Sequence, residues 1–156
     1  MILVLCGPAG AGKSSIALRL MEELDDAHLI SSDSFKRKAY DRIMREVEGR
    51  RGKQEYLVID ATFYKKRWRD NLREIAGEEE KVVTVFIECS LEACLRRNQE
   101  RETPIPEAAI HIIWIGFERP DAPDIHVNTE EFGVEQAVDK ILKELRAFQN
   151  PSFSTA

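Results

Sequence analysis

The sequence predicts an α/β fold of three layers, in which a five-stranded, mostly parallel sheet carries helices on both faces. Two observations support this. Short continuous apolar runs (ILVLC at 2–6, YLVI at 56–59, VVTVFI at 82–87) alternate with longer amphipathic stretches, as strands buried on both faces of a parallel sheet do. The strand ends then carry Gly7, Ser32-Asp33, Asp60 and Cys89-Ser90. In open α/β sheets ligands bind beyond the carboxyl ends of the strands, so these residues are expected along one edge.

Taken in order, the elements are a strand at 2–6 and a helix at 13–24, with Ile16, Leu20 and Leu24 on one face and Ala17 and Met21 beside them. A short strand at 28–31 precedes a polar helix over 34–48 and a charged, glycine-containing loop at 49–53. The strand at 56–59 leads to a helix over 65–76 that stops at Gly77, a residue suited to the position just past a helix. After the strand at 82–87, Ser90 caps a helix running to about residue 101, which Thr103-Pro104-Ile105-Pro106 breaks. A helix at 107–117, a strand at 124–128 and a helix at 133–148 complete the pattern. The last helix presents Val134, Ala137, Val138, Ile141, Leu142 and Leu145 as its apolar face. The reading is one domain over 1–149 with a frayed tail at 150–156.

The 156 residues suffice for one self-supporting core, and 43% hydrophobic with 33% charged residues is a globular composition. No apolar run reaches the roughly 20 residues that cross a bilayer, and the apolar start lacks the features of a signal peptide. The expected compartment is therefore the cytoplasm, with no membrane partner. Cys6, Cys89 and Cys94 are an odd set without CxxC spacing, read as small buried hydrophobes. A net charge of -5 argues against an extended non-specific nucleic-acid surface. Local basic clusters stand at 36–38, 50–53, 65–69 and 96–101.

Gly7-Pro8-Ala9-Gly10-Ala11-Gly12-Lys13-Ser14 matches GxxxxGK[ST] in full, and Ser15 extends it. It follows a predicted strand and opens a predicted helix, which is the context the pattern requires. Glycines let backbone N–H groups turn inward around an anion, and a helix N-terminus favours phosphate. Lys13 is expected to reach the β- and γ-phosphates of a nucleoside triphosphate, and the Ser14 hydroxyl to ligate Mg²⁺. The expected architecture is thus a P-loop NTPase fold with a helical lid, holding a nucleoside triphosphate with Mg²⁺.

A GTPase would need an NKxD guanine-reading segment, and the chain has none. A motor ATPase would end a strand in Asp-Glu, whereas this one runs Ile59-Asp60-Ala61-Thr62. Phosphoryl transfer needs an acid facing the acceptor, an acid near Mg²⁺, and cations on the moving group. Asp33 and Asp60 end successive strands. Arg97 and Arg101, four apart, share a helical face, and the segment 97–117 is expected to close over ATP as a lid. Asp33 also stands where it could cap the next helix. Arg67 and Arg69 face substrate or water. Trp68 and Trp114 stack a base or, more commonly, pack. His28, His111 and His126 match no metal spacing.

Four blocks, GPAGAGKSS at 7–15, SSDSFKR at 31–37, LVIDATFYKKRWRDNLREIA at 57–76 and FIECSLEACLRRNQERETPIPEAAI at 86–110, make the chain resemble the L-seryl-tRNA(Sec) kinases. The likeness to polynucleotide 5′-kinases and adenylylsulfate kinases is more distant. It implies ATP, Mg²⁺ and a hydroxyl acceptor that is RNA-linked or nucleotide-like. It implies Asp33 facing the acceptor with Lys36 beside it, Arg97 and Arg101 on the nucleotide or transferring phosphoryl, and Ser14 with Asp60 organising Mg²⁺. Thr62 and Arg69 are further candidate substrate contacts. Two departures stand out. Ala61-Thr62-Phe63 occupies a place where the related kinases often have Asp-Thr-Asn. Seryl-tRNA kinases also carry an additional C-terminal tRNA-binding domain beyond the region matched here, without which full tRNA recognition is expected to be difficult. The alternatives are an adenylylsulfate kinase and a non-catalytic ATP-binding module serving a partner.

Overall fold

Strand β1 (Ile2–Cys6) is buried at all five positions, as a central parallel strand must be. Its side chains alternate between two cores. Leu3 and Leu5 join one apolar cluster with Ile16, Ala17, Leu20, Ala137 and Ile141. Ile2, Val4 and Cys6 join the other, with Ile43, Val47 and Leu72. The period of two therefore divides the molecule into a helical layer on each face of the sheet. Each fully buried Leu or Ile contributes roughly 1.5–3 kcal/mol relative to exposure.

This computed structural model describes residues 1–150, and the tail expected to fray lies outside them from residue 151 on. The strands β2 (Ala27–Ser31), β3 (Tyr56–Asp60), β4 (Val82–Glu88) and β5 (Ile125–Asn128) complete a sheet of order β2-β3-β1-β4-β5. Every pairing is parallel, with Ser31 opposite Asp60, Asp60 opposite Leu5, and Cys6 opposite Phe86. The α-helices are α1 (Lys13–Glu23), α2 (Ala39–Arg50), α3 (Lys66–Ala76), α4 (Leu91–Gln99), α5 (Glu107–Gly116) and α6 (Val134–Gln149). Helices α1 and α6 pack on one face, and α2 and α3 on the other. Among the described residues no helix is long and apolar enough to cross a membrane.

Three expected elements change. The helix foreseen over 34–48 begins only at Ala39; Ser32–Ser34 is a separate 3₁₀ turn. The Ser31 hydroxyl captures the Asp33 N–H at 3.3 Å, and Lys38 takes φ 50, so helical geometry cannot run through. Helix α4 stops at Gln99, which leaves Arg101 beyond it. Val134 is 40% exposed, so it is not part of the apolar face of α6. Ser90 caps α4 as expected, its hydroxyl accepting the Ala93 N–H, and Gly77 ends α3 with φ 67.

Arg69 turns out to be structural. It is 4% exposed, and its two terminal nitrogens donate to the carbonyls of Phe63 and Glu118, each at 2.5 Å. The Glu118 carboxylate in turn accepts the Lys66 N–H at 2.6 Å and caps α3, which has no side-chain cap of its own. This ties the chain after α5 to the loop after β3. Arg69→Ala strands two carbonyls, so unfolding free energy is expected to fall by about 2–4 kcal/mol in urea titration. Unchanged stability would return Arg69 to the list of open substrate contacts.

Candidate active site

The loop from Gly7 to Gly12 joins β1 to α1; the carbonyls of Pro8, Gly10, Ala11 and Gly12 are taken, as are the amides of Gly7 and Ala11. A Cβ on Gly7 would lie 2.1 Å from the Ile87 carbonyl oxygen, so only glycine lets the loop start this close to β4. The Gly7 N–H donates to the Thr62 carbonyl at 3.2 Å. The Pro8 carbonyl accepts from the Lys13 ammonium at 2.9 Å. Arg97 donates to the carbonyls of Gly10 and Ala11, both at 3.2 Å, and to the hydroxyl and carbonyl of Thr129 at 2.8 and 3.0 Å. The Thr129 hydroxyl itself donates to the Ala11 carbonyl at 2.7 Å. Helix α1 starts with no side-chain cap, so its first N–H groups remain free for an anion.

These residues surround a cavity of about 270 Å³ lined by Gly10, Gly12, Lys13, Ser14, Ser15, Arg97 and Arg101. The structure thus brings both arginines to the loop even though they do not share a helix. Arg97 spends its hydrogen bonds on the loop and Thr129, which makes it a positioning residue here. Arg101 is exposed at the rim. Lys13 is 8% exposed. Burial pushes its ammonium below the ordinary lysine value, and the Asp60 carboxylate opposes that shift.

Asp60 is buried, and its carboxylate accepts the Ser14 hydroxyl at 2.7 Å. A hydroxyl and a carboxylate oxygen side by side are hard donors suited to Mg²⁺, which takes one or two protein ligands and fills its shell with phosphate and water. Ser14 and Asp60 therefore fit the expected ion, Ser14 directly and Asp60 as its partner. No group of three or more His, Cys, Asp or Glu side chains converges as a metal cage among the described residues.

Asp33 lies two residues past Ser31, which is paired with Asp60 in the sheet. It is exposed, and its carboxylate bonds to no described residue. It does not cap α2, which starts six positions later. Lys36 is exposed in the same connection, and Thr62 is half-buried with its carbonyl bracing Gly7. Phe63 is fully buried with φ 46. A left-handed backbone suits asparagine far better than phenylalanine, so this position bears strain. Here the Phe63 N–H donates to the Tyr40 hydroxyl at 3.0 Å, and Trp68 stacks on Tyr40 at 4.6 Å. Trp68 is thus a packing residue. The residue missed from sequence is Thr129, which sits directly after β5; the strand-end rule that picked out Asp33 and Asp60 applies equally there.

Residues 2–120 match the family AAA_33, described as an AAA domain. The chain belongs to this family of P-loop kinases. It is 27% identical over 154 residues to the L-seryl-tRNA(Sec) kinase of Methanococcus maripaludis, an alignment covering 84% of this chain and 60% of that protein. It thus spans under two thirds of that relative's length. It is 26% identical over 170 residues to the adenylyl-sulfate kinase of Staphylococcus haemolyticus, covering 94% of this chain and 84% of that one. The gluconokinase of Sinorhizobium meliloti superposes with a TM-score of 0.78 at 20% identity, over 99% of this chain and 97% of that chain, which is a likeness of fold.

Disrupting the Ser14–Asp60 pair should act on ion-dependent binding alone. Asp60→Asn is expected to weaken the affinity for ATP in Mg²⁺ by about 10–100-fold and to leave the affinity in EDTA unchanged, as read by calorimetric titration. Equal weakening in both conditions would assign Asp60 to folding.

Proposed function

We propose that this chain is an ATP-dependent kinase that transfers the γ-phosphate to a hydroxyl of an RNA-linked or nucleotide-like acceptor. The observation that carries the reading is the placement of an open anion cradle, the Ser14–Asp60 pair and the unpartnered Asp33 carboxylate on one sheet edge, with Ser31 opposite Asp60 in the register. A binding module needs the cradle alone. A carboxylate on the same sheet edge that bonds to no described residue is what a transferase adds.

In this mechanism the loop amides and Lys13 hold the β- and γ-phosphates, while Arg97 keeps the loop carbonyls turned away. The acceptor oxygen attacks the γ-phosphorus, the β–γ bridging P–O bond breaks, and ADP leaves. Asp33 orients the acceptor hydroxyl and takes its proton, with Lys36 nearby as a basic neighbour. Ser14, with Asp60 as its partner, would hold Mg²⁺, which would supply positive charge against the phosphates. The segment 97–117 acts as the lid: Arg101 rides on it towards the phosphates, and the Glu118 contacts with Lys66 and Arg69 anchor its far end. Closure excludes water and favours transfer over hydrolysis.

The test is transfer from γ-labelled ATP with Mg²⁺ to unfractionated tRNA, to RNA and DNA with 5′-hydroxyl ends, and to adenylylsulfate, with Lys13→Ala as background. Label is expected on one acceptor class. Asp33→Asn should lower that transfer by about 10²–10⁴-fold, the usual contribution of a general base, at unchanged ATP affinity. Full transfer by Asp33→Asn would remove the proposed base. Tight ATP binding with no labelled acceptor would favour a non-catalytic module serving a partner.

A further inference from the structure

A second pocket, of about 220 Å³, opens on the other side of the loop. Its walls are Pro8, Phe86, Trp114 and Phe117, with Glu88 and Arg119 as the polar pair. Pro8 is the connection to the chemistry, because its carbonyl holds the Lys13 ammonium at 2.9 Å. Lys13 is the group that reaches the β- and γ-phosphates in a loop of this kind. A molecule resting on Pro8 therefore touches the residue that holds Lys13.

The wall has a definite chemistry. Phe86 is stacked by Phe117 at 5.7 Å and by His126 at 5.3 Å, and the Arg119 guanidinium lies 5.3 Å from its ring centre. Glu88 joins Arg119, and its carboxylate accepts from the His126 ring N–H at 2.7 Å. The Trp114 indole N–H donates to the Cys89 carbonyl at 3.3 Å, which fixes the ring at the wall, yet the residue is 39% exposed. A polyhydroxylated sugar acid would bring several hydroxyls against carbon and leave them unpaired, which is unfavourable. A planar heterocycle gains from aromatic and guanidinium faces regardless of its sequence identity. Its donor and acceptor edge can meet Glu88 and Arg119.

Resting on the kinase reading above, we infer that this pocket is the acceptor subsite and that it takes a nucleobase, so the acceptor hydroxyl belongs to a nucleoside, a nucleotide or an RNA end. Trp114 and Phe117 stack the base, and Arg119 with Glu88 reads its edge.

The experiment reads binding separately from transfer. Trp68→Phe leaves Trp114 as the sole tryptophan of the two in the chain. With AMPPNP and Mg²⁺ saturating the phosphate cavity, this protein is titrated with adenosine, cytidine, guanosine, uridine and gluconate while tryptophan emission is followed. At least one nucleoside is expected to quench Trp114, and gluconate is not. Phe117→Ala should weaken that nucleoside about tenfold at unchanged AMPPNP affinity. Arg119→Ala, at an exposed position that does not threaten folding, should weaken it several-fold. Quenching by gluconate alone, by none of the five, or with unchanged affinity in both variants would overturn the inference. Labelled-phosphate transfer on the same proteins separates the two readings. Nucleoside binding without transfer to any acceptor supports the pocket and removes the kinase. Transfer that neither variant alters supports the kinase and removes the pocket.

Discussion

Everything at this site depends on keeping the carbonyls of one short loop pointed away from its centre. A backbone that curls around an anion has an oxygen for every N–H it offers, and any oxygen left facing inward would repel phosphate. The protein deals with this through one side chain at the start of α1 and others from distant elements. Lys13 takes the Pro8 carbonyl, and Arg97 with Thr129 takes those of Gly10 and Ala11. The uncapped start of α1 then adds its own free amides and its dipole in the same direction. Arg97 consequently acts on the loop that it holds.

The sheet register sets the rest of the geometry. Because every pairing is parallel, all strands end at the same edge, and Asp60 stands between Leu5 and Ser31. Asp60 is thereby brought to Ser14, at 2.7 Å, and Asp33 to the next place along. The loop after β3 bears strain for this arrangement, with Phe63 in a left-handed conformation. Its burial beneath Tyr40 and the Arg69 bond to its carbonyl hold it there. The same Arg69 reaches Glu118 and so couples this loop to the chain after α5.

Much of this could be read from the sequence, for a reason of scale. The phosphate loop, the strands and the terminal acids are set by backbone demands within a few residues: close approach at Gly7, period-two burial, polar residues at strand ends. Where the reading departed from the structure, the deciding contact was long-range or involved a single local hydrogen bond. Arg97 acts through Thr129, which is 32 positions away, and nothing adjacent to either residue announces the partnership. Arg69 looked like one more cation in a basic cluster, because its carbonyl partner at Glu118 lies 49 positions on. The late start of α2 follows from the Ser31 hydroxyl and the positive φ of Lys38, which compete with a helix that composition alone favours. The aromatic pocket likewise assembles from β4, the loop at Pro8 and the end of α5, and no contiguous motif encodes it.

The most direct test of the account is to observe the loop amides themselves. In ¹⁵N-labelled protein titrated with ATP and Mg²⁺, the backbone resonances of Gly10, Gly12, Lys13, Ser14 and Ser15 are expected to shift most. The same resonances should stay still on titration with adenosine alone. Saturable ATP binding that leaves those five amides unmoved would place the phosphates elsewhere and contradict the central claim.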